Sequence, residues 1–332
     1  MLPIIDFSGF RTGEAERRRA VADEIGRALE TIGFFYVRGH GIAEATLAAA
    51  RTAAETYFRR PAAEKLVHER APGRYRGYIP PIPFTSANAV EGRPPILYEA
   101  FIVGPEVAPD DPAVASTAGL LWPTPWPAEP IDFRAAVTAY WQAADGLAMD
   151  LLRAFALALG APEEALVKHF RKPLTNMSLL HYLARPAGGA RAPVAHEPGR
   201  DDVPPHYDTN AVTLLAPGAV GGLQVQRRDG HWIQAEPLPG CLVVNIGNMM
   251  ECWSGGRYRS TLHRVHPPLG RERYSIAHFA TPDYDTRVAP LPGTVKGTAQ
   301  PPEPIHAGRT LAAFVARFDP PVSDGEAAAE GS

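Results

Sequence analysis

The chain has 332 residues, 45% of them hydrophobic, and its 33 basic and 36 acidic residues leave a formal net charge of −3. That length can bury a substantial core, and the charges form no long runs, so nothing favours a nucleic-acid or membrane partner. There is no stretch of roughly 20 apolar residues, no signal-peptide pattern, and two cysteines cannot build a disulfide framework. We expect a cytoplasmic, monomeric globular protein that acts on a small molecule.

Short strands and amphipathic helices alternate at the start of the chain: a strand at 3–7, a helix at 14–31, a strand at 34–37 and a helix at 42–59. Residues 71–130 are the least regular part. They contain one predicted strand at 97–103 and a long proline-rich connection over 109–130. Residues 131–159 predict a helix of roughly 40 Å with an apolar stripe, which we interpret as a structural brace.

The second half of the chain is rich in β-strand signals. A short helix at 162–170 and a strand at 176–183 lead into a polar, Pro/Gly-rich connection over 184–205. Beyond it, short β-rich runs separated by turn residues follow at 211–215, 222–226, 231–234, 242–246, 258–266 and 274–280. Asp229-Gly230 is a two-residue hairpin signal. Many short, evenly spaced strands predict a double-sheet jelly roll.

Two histidines and one aspartate in this half form a candidate metal site. His206 and Asp208 are two residues apart, so on a strand they point to the same face. His263 would reach them from another strand. Two imidazoles and a carboxylate on one face of a metal form the facial triad of non-haem Fe(II) oxygenases, which leaves coordination positions open. His266 falls on the opposite face of the strand that carries His263.

Arg273 and Ser275 share a face by the same two-residue spacing. A guanidinium offers a planar fork suited to a carboxylate, and a serine adds a hydroxyl group. Arg271 has the same parity and is the alternative fork, while a surface salt bridge is the alternative role for the pair. The spacing therefore indicates a carboxylate site on the last strand of the series.

These segments resemble the isopenicillin N synthase-like family of Fe(II)/2-oxoglutarate-dependent dioxygenases, and the N-terminal segments 3–7 and 33–42 match as well. The resemblance implies a mixed α/β, mainly β, fold: a double-stranded β-helix (jelly-roll, cupin-like) core braced by N-terminal helices and one long central helix. The matching pieces of the core are His-Tyr-Asp-Thr-Asn-Ala-Val-Thr-Leu-Leu (206–215), Gly-Gly-Leu-Gln-Val (221–225), Val-Val-Asn-Ile-Gly-Asn (243–248), Arg-Ser-Thr-Leu-His-Arg-Val (259–265) and Arg-Tyr-Ser-Ile-Ala-His-Phe (273–279).

The resemblance also implies the cofactors and the reaction. The chain is expected to bind Fe(II) and to use 2-oxoglutarate and O2 as co-substrates. A small molecule, as in secondary metabolism and antibiotic biosynthesis, would be hydroxylated, desaturated or cyclised, with release of succinate and CO2. The implied metal ligands are His206, Asp208 and His263.

In the family, an arginine and a serine two residues apart hold the distal carboxylate of 2-oxoglutarate, so Arg273 and Ser275 are expected to do so here. The hydroxyl of Tyr182 is expected to reach the same co-substrate, although the family's usual proline does not follow it directly. The irregular region lines the substrate entrance in the family. Its candidate contacts, for which plain loop packing is the alternative, are Arg74, Tyr75, Arg76, Tyr78 and Phe101.

We expect five segments: an N-terminal helix-rich region (1–105), a connection with the bracing helix (106–173), the oxygenase core (174–285), a C-terminal extension with a short helix (286–322) and a disordered tail (323–332). Three alternative functions remain open at this point. The first is an oxidase that uses Fe(II) and O2 without 2-oxoglutarate, and the second is an ethylene-forming enzyme that fragments 2-oxoglutarate. The third is a non-catalytic jelly roll that keeps a metal for stability.

Overall fold

The computed structural model describes residues 1–81, 98–128, 132–184, 203–295 and 300–318. Its strands are β1 (Ile4–Asp6), β2 (Phe34–Arg38), β3 (Gly77–Ile79), β4 (Tyr98–Val103), β5 (Asn176–Tyr182), β6 (Val203–His206), β7 (Val212–Pro217), β8 (Leu223–Gln226), β9 (Trp232–Gln234), β10 (Leu242–Ile246), β11 (His263–Val265), β12 (Arg273–Ala280), β13 (Arg287–Val288) and β14 (Ile305–His306). The helices are Ser8–Thr12, Ala15–Thr31, Glu44–Phe58, Ala62–Leu66, Pro112–Ser116, Phe133–Ala158, Glu164–Val167, Asn248–Trp253 and Ala307–Val315.

Two sheets form the core. The larger has eight strands in the order β1-β2-β10-β7-β12-β5-β4-β3, and the smaller has four in the order β6-β11-β8-β9. An apolar cluster joins them, with Phe34 and Tyr36 from the larger sheet and Leu223 and Val225 from the smaller. We call the side of the larger sheet that carries Phe34 and Tyr36 its interior face. The predicted double-stranded β-helix is confirmed, and it is open rather than a closed barrel.

The long helix Phe133–Ala158 packs against the opposite side of the larger sheet, on β7 and β12. It also packs against the helices Ala15–Thr31 and Glu44–Phe58. The buried positions of its apolar stripe include Val137, Tyr140, Ala144, Leu147 and Leu151. Each large apolar side chain buried in this way contributes roughly 1.5–3 kcal/mol, so the predicted brace is confirmed. None of the helices in the described ranges is long and apolar enough to cross a membrane.

Three local predictions were wrong. The proline-rich connection contains a short helix, Pro112–Ser116, because the Asp111 side chain accepts a hydrogen bond from the Ala113 backbone N–H and caps it. Residues 203–206 form a strand despite two prolines, which β6 tolerates because it lies at the edge of its sheet. The strand expected over 258–266 is reduced to His263–Val265.

A hairpin is present at Asp229-Gly230, but the predicted two-residue loop was wrong. Trp232 pairs with Gln226, so residues 227–231 connect β8 to β9. Gly230 has a φ of +85°, a conformation that glycine adopts without strain. The predicted tail over 323–332 lies outside the described residues.

Candidate metal centre and co-substrate site

The smaller sheet brings the two predicted histidines face to face. His206 ends β6 and His263 begins β11, and the two are direct partners in the antiparallel ladder. Their ring centroids are 4.2 Å apart. Asp208 lies beyond the end of β6, so the expectation that one strand would carry both His206 and Asp208 was wrong. Cross-strand pairing joins the two histidines, and the chain that follows β6 adds the carboxylate.

The three side chains converge on one point. Asp208 Oδ1 lies 3.7 Å from His206 Nε2 and 3.7 Å from His263 Nε2. The three candidate ligand atoms all lie within 4.8 Å of one another. Two imidazole nitrogens and one carboxylate oxygen at such separations fit the donor set of a non-haem Fe(II) site.

Backbone carbonyls orient both imidazoles. Nδ1 of His206 lies 2.9 Å from the carbonyl oxygen of Pro204, and Nδ1 of His263 lies 2.9 Å from that of Thr261. Because a carbonyl only accepts, each Nδ1 carries the proton and donates it, which leaves the Nε2 lone pair directed at the common point. Such hydrogen bonds fix the tautomer of metal-binding histidines.

Two neutral side chains hold the other carboxylate oxygen of Asp208. The Thr213 hydroxyl donates to Oδ2 at 2.6 Å, and the Asn245 amide donates to the same atom at 2.7 Å. Burial opposes ionisation of Asp208, but His263, His206 and these two donors together lower the pKa of Asp208 below its ordinary value. Asp208 is therefore an anchored carboxylate with Oδ1 turned to the histidines.

His263 lies deeper than His206. Burial lowers the pKa of His263 to about 4, with His206 adding to the effect and Asp208 opposing it. The Phe34 ring packs edge-to-face with the imidazole, with 5.2 Å between centroids. At neutral pH His263 is therefore an uncharged imidazole, the form that binds a metal.

Arg273 is buried without a carboxylate partner among the described residues. It is 2% exposed, its NH1 donates to the Ser275 hydroxyl at 2.9 Å, and its Nε has no hydrogen-bond partner there. Its guanidinium lies 4.6 Å from the centroid of the Tyr182 ring, which comes from the neighbouring strand β5. A buried cation with unused donors is costly unless an anion joins it. Arg271 is exposed, which makes it the weaker alternative.

Three other histidines of the chain lie away from this centre. The backbone N–H of Ile42 donates to His40 Nδ1 at 3.1 Å. His181 bonds Glu99 at 2.7 Å, and His278 packs on Trp141 of the long helix. His266 is not part of the metal-ligand cluster found among the described residues.

Packing accounts for four of the five candidate substrate contacts. Arg74 stacks over the Trp122 ring and Arg76 donates to the Pro105 carbonyl at 2.7 Å. Tyr78 donates to Glu99, and Phe101 is fully buried in the main core. The remaining candidate differs, because the Tyr75 hydroxyl donates to Asn176 Oδ1 at 3.3 Å on β5.

Comparisons with known proteins identify the family. The 2OG-Fe(II) oxygenase superfamily model matches residues 176–282, and a model of the N-terminal region of a non-haem dioxygenase in morphine synthesis matches residues 2–129. A 2-oxoglutarate-Fe(II) type oxidoreductase of Emericella nidulans is 31% identical over 313 residues, which cover 91% of this chain and 85% of the relative. The chain belongs to the 2OG-Fe(II) oxygenase superfamily. Its cofactors are Fe(II) and the co-substrates 2-oxoglutarate and O2, as predicted.

The names of other relatives of this oxygenase point to different small molecules. Homoarginine-6-hydroxylase of rice is 31% identical, with 87% of this chain and 88% of the relative covered. Validamycin A dioxygenase of Streptomyces hygroscopicus is 29% identical, with 93% and 84% covered. A Neurospora crassa enzyme solved with alpha-KG and thymine superposes with a TM-score of 0.82 at 26% identity, covering 95% of this chain and 96% of that one. The predicted enzyme class is thus confirmed.

Thr213 and Asn245, which bond to Asp208, are the residues of the candidate site that the sequence did not predict. Both lie within the motifs that resemble the family, in Thr-Asn-Ala-Val-Thr and Val-Val-Asn-Ile. Their strands β7 and β10 pair with Thr213 directly opposite Asn245. Polar residues at inward positions of otherwise apolar strands were the signal that could have identified them.

Proposed function

We propose that His206, Asp208 and His263 hold Fe(II), and that Arg273 with Ser275 binds the distal carboxylate of 2-oxoglutarate. The chain would then oxidise a small molecule of secondary metabolism. The observation that carries this proposal is the buried Arg273 guanidinium, which has no carboxylate partner in the described part of the chain and sits on the strand next to Tyr182. The triad supplies three donors and leaves the rest of the coordination sphere open.

Each side chain has a definite task in this scheme. Fe(II) bound with 2-oxoglutarate and O2 supplies the oxidising power, as 2-oxoglutarate is converted to succinate and CO2 while a C–H bond of the substrate is oxidised. Asp208 contributes the negative charge, and the two neutral imidazoles complete the face. Arg273 and Ser275 orient the co-substrate by charge-assisted hydrogen bonds, and the Tyr182 ring covers the guanidinium at 4.6 Å. The Tyr182 hydroxyl is proposed as a further contact to the co-substrate.

The relatives named 2-oxoglutarate-Fe(II) type oxidoreductases favour a 2-oxoglutarate-dependent enzyme over an oxidase that works without 2-oxoglutarate. Oxidases of this fold also retain an arginine and a serine two residues apart, so Arg273 and Ser275 indicate an anionic ligand in either class. In this chain the Arg273 guanidinium is buried, and among the described residues it donates a hydrogen bond to the Ser275 hydroxyl. Retaining such a group is unfavourable unless an anionic ligand offsets the cost.

The core over 174–285 is proposed as the catalytic unit, and the segments around it as its brace and its substrate access. We also propose that the enzyme is a cytoplasmic monomer without a nucleic-acid or membrane partner. The even mixture of charges supports this, as do the two free cysteines, Cys241 and Cys252. Relatives named for homoarginine, gibberellin and validamycin A oxidise unrelated small molecules, so the family leaves the substrate open.

The test compares Arg273→Leu with Arg271→Leu. Loss of two charge-assisted hydrogen bonds, each worth about 1.5–3 kcal/mol, would weaken 2-oxoglutarate binding by roughly 100-fold or more. Fe(II) affinity should change little. Arg271→Leu, which changes an exposed arginine two residues before Arg273, should bind 2-oxoglutarate with the affinity of the parent. An equal loss in both variants, or none in Arg273→Leu, would refute the assignment, and O2 uptake with substrate alone would favour the oxidase.

A further inference from the structure

The row of side chains that anchors Asp208 continues across the larger sheet. Thr213 on β7 lies opposite Phe279 on β12, and Phe279 lies opposite Asn176 on β5. Paired residues point to the same side of a sheet, so all three share the interior face. With adjacent strands about 4.8 Å apart, Asn176 lies roughly 10 Å from Thr213. Asn176 therefore faces the same interior space as the metal centre, at the distance that a small substrate spans.

Asn176 offers hydrogen-bonding groups in this wall. It is 2% exposed, and its Oδ1 accepts from the Tyr75 hydroxyl at 3.3 Å. No acceptor for its Nδ2 is found among the described residues. The pair thus presents an amide N–H donor beside a phenol oxygen that can accept. Burial raises the pKa of Tyr75, with Tyr98 and the Asp208 carboxylate adding to the effect and Arg70 opposing it, so the phenol stays neutral.

The side chains packed around this pair are mainly apolar. Tyr75 belongs to a buried cluster with Ile102, Leu120 and side chains of the C-terminal helix, including Leu311. The interior-face neighbours of Asn176 on β12, namely Phe279 and Ala277, carry no charge. Arg273 lies at the opposite end of β12. A charged substrate group placed among these apolar side chains would be desolvated, which is costly.

We propose that Asn176 and Tyr75 are specificity-determining residues that select a neutral substrate carrying a carbonyl next to an N–H group, such as an amide, a lactam or a cyclic imide. The Asn176 amide would donate to the carbonyl, and the Tyr75 oxygen would accept from the N–H. A site built to bond such groups discriminates strongly against analogues that lack them, because its own buried polar groups are then left unpaired. This inference rests on the proposed metal and 2-oxoglutarate site.

The test uses four six-membered-ring probes with the anaerobic Fe(II)–2-oxoglutarate enzyme: glutarimide, cyclohexanone, cyclohexanecarboxylate and cyclohexylamine. Binding is followed by calorimetry and by the change in the visible charge-transfer band. Glutarimide should bind, cyclohexanone more weakly, and the two charged rings least. Tyr75→Phe and Asn176→Ala should each weaken glutarimide binding by about tenfold. Tyr57→Phe, the same change at a buried tyrosine of the helix-side core, should leave it unchanged.

Separate readings distinguish this proposal from the one it rests on. If the charge-transfer band is absent in the parent enzyme, the 2-oxoglutarate site fails before any probe is added. If the band forms but glutarimide does not bind, or a charged ring binds as well, the substrate class is overturned. Unchanged glutarimide affinity in Tyr75→Phe overturns the assignment of Asn176 and Tyr75 as specificity-determining residues, even if Asn176→Ala fails to fold.

Discussion

Thr213→Val tests how the protein prepares its metal-binding carboxylate. The substitution replaces a hydroxyl by a methyl group of similar size, so the shape of β7 is kept. It removes the 2.6 Å hydrogen bond to Asp208 Oδ2 and leaves the 2.7 Å bond from Asn245 in place. The Asp208 carboxylate then accepts one hydrogen bond fewer, so its rotation about the Cβ–Cγ bond is less restricted.

Two independent arguments give the same magnitude for this change. A hydrogen bond to a charged group contributes about 1.5–3 kcal/mol, which corresponds to roughly 10–150-fold in affinity. Substitutions of residues that orient metal ligands typically cost about 10–100-fold in metal affinity. We therefore expect Fe(II) affinity to fall by roughly one to two orders of magnitude, with 2-oxoglutarate binding to the loaded enzyme largely retained.

The assay is an anaerobic metal titration by calorimetry on the parent, Thr213→Val and Thr294→Val. Thr294 is a matched control because it is equally buried and its hydroxyl donates to the Leu291 carbonyl at 2.7 Å instead of to the triad. Thr294→Val should keep the parent affinity. Equal Fe(II) affinity in Thr213→Val and the parent would refute the view that Thr213 anchors Asp208.

Two further predictions concern stability. Glu99→Ala leaves the buried ammonium of Lys65 without its carboxylate partner, so the free energy of unfolding measured by urea titration should fall by about 3–5 kcal/mol. Asp23→Ala removes the partner of Arg19 in an exposed ion pair, and in the same assay it should lower the free energy of unfolding by under about 1 kcal/mol. For His263, whose pKa burial lowers from 6.5 to about 4, the unfolded chain binds a proton between those values that the folded chain does not. His263 should therefore raise the free energy of unfolding of the metal-free protein by up to about 3 kcal/mol from pH 4 to 6.5 and add nothing further above that pH. His263→Leu should remove this contribution. Parallel plots of unfolding free energy against pH for the parent and His263→Leu would contradict the prediction.

The sequence was informative where spacing and residue type together carry the chemistry. The candidate metal-binding cluster was predictable because each of its residues lies in a distinctive motif on or beside a β-rich run, and the alternation of β12 put Arg273 and Ser275 on one side. The route by which the ligands meet was not predictable. It depends on the pairing of β6 with β11, a contact between residues far apart along the chain.

Other features depend on tertiary packing that no local pattern reports. The helix Asn248–Trp253 is too short to display a helical period. The prolines of β6 argue against a strand until the strand is known to lie at an edge. Thr213, Phe279 and Asn176 become one row only through the register of three strands. For the same reason Tyr75 stood out from its neighbours only once its bond to Asn176 was visible.

The most direct test of the account is the anaerobic visible spectrum of the protein with Fe(II) and 2-oxoglutarate. We predict a metal-to-ligand charge-transfer band in the parent protein, because three protein ligands leave room for a chelating co-substrate. The band should vanish in His263→Ala and persist in His266→Ala, which changes a histidine three residues away that is not part of the ligand cluster. A band that survives in His263→Ala, or that disappears in His266→Ala with the fold intact, would contradict the proposed metal centre.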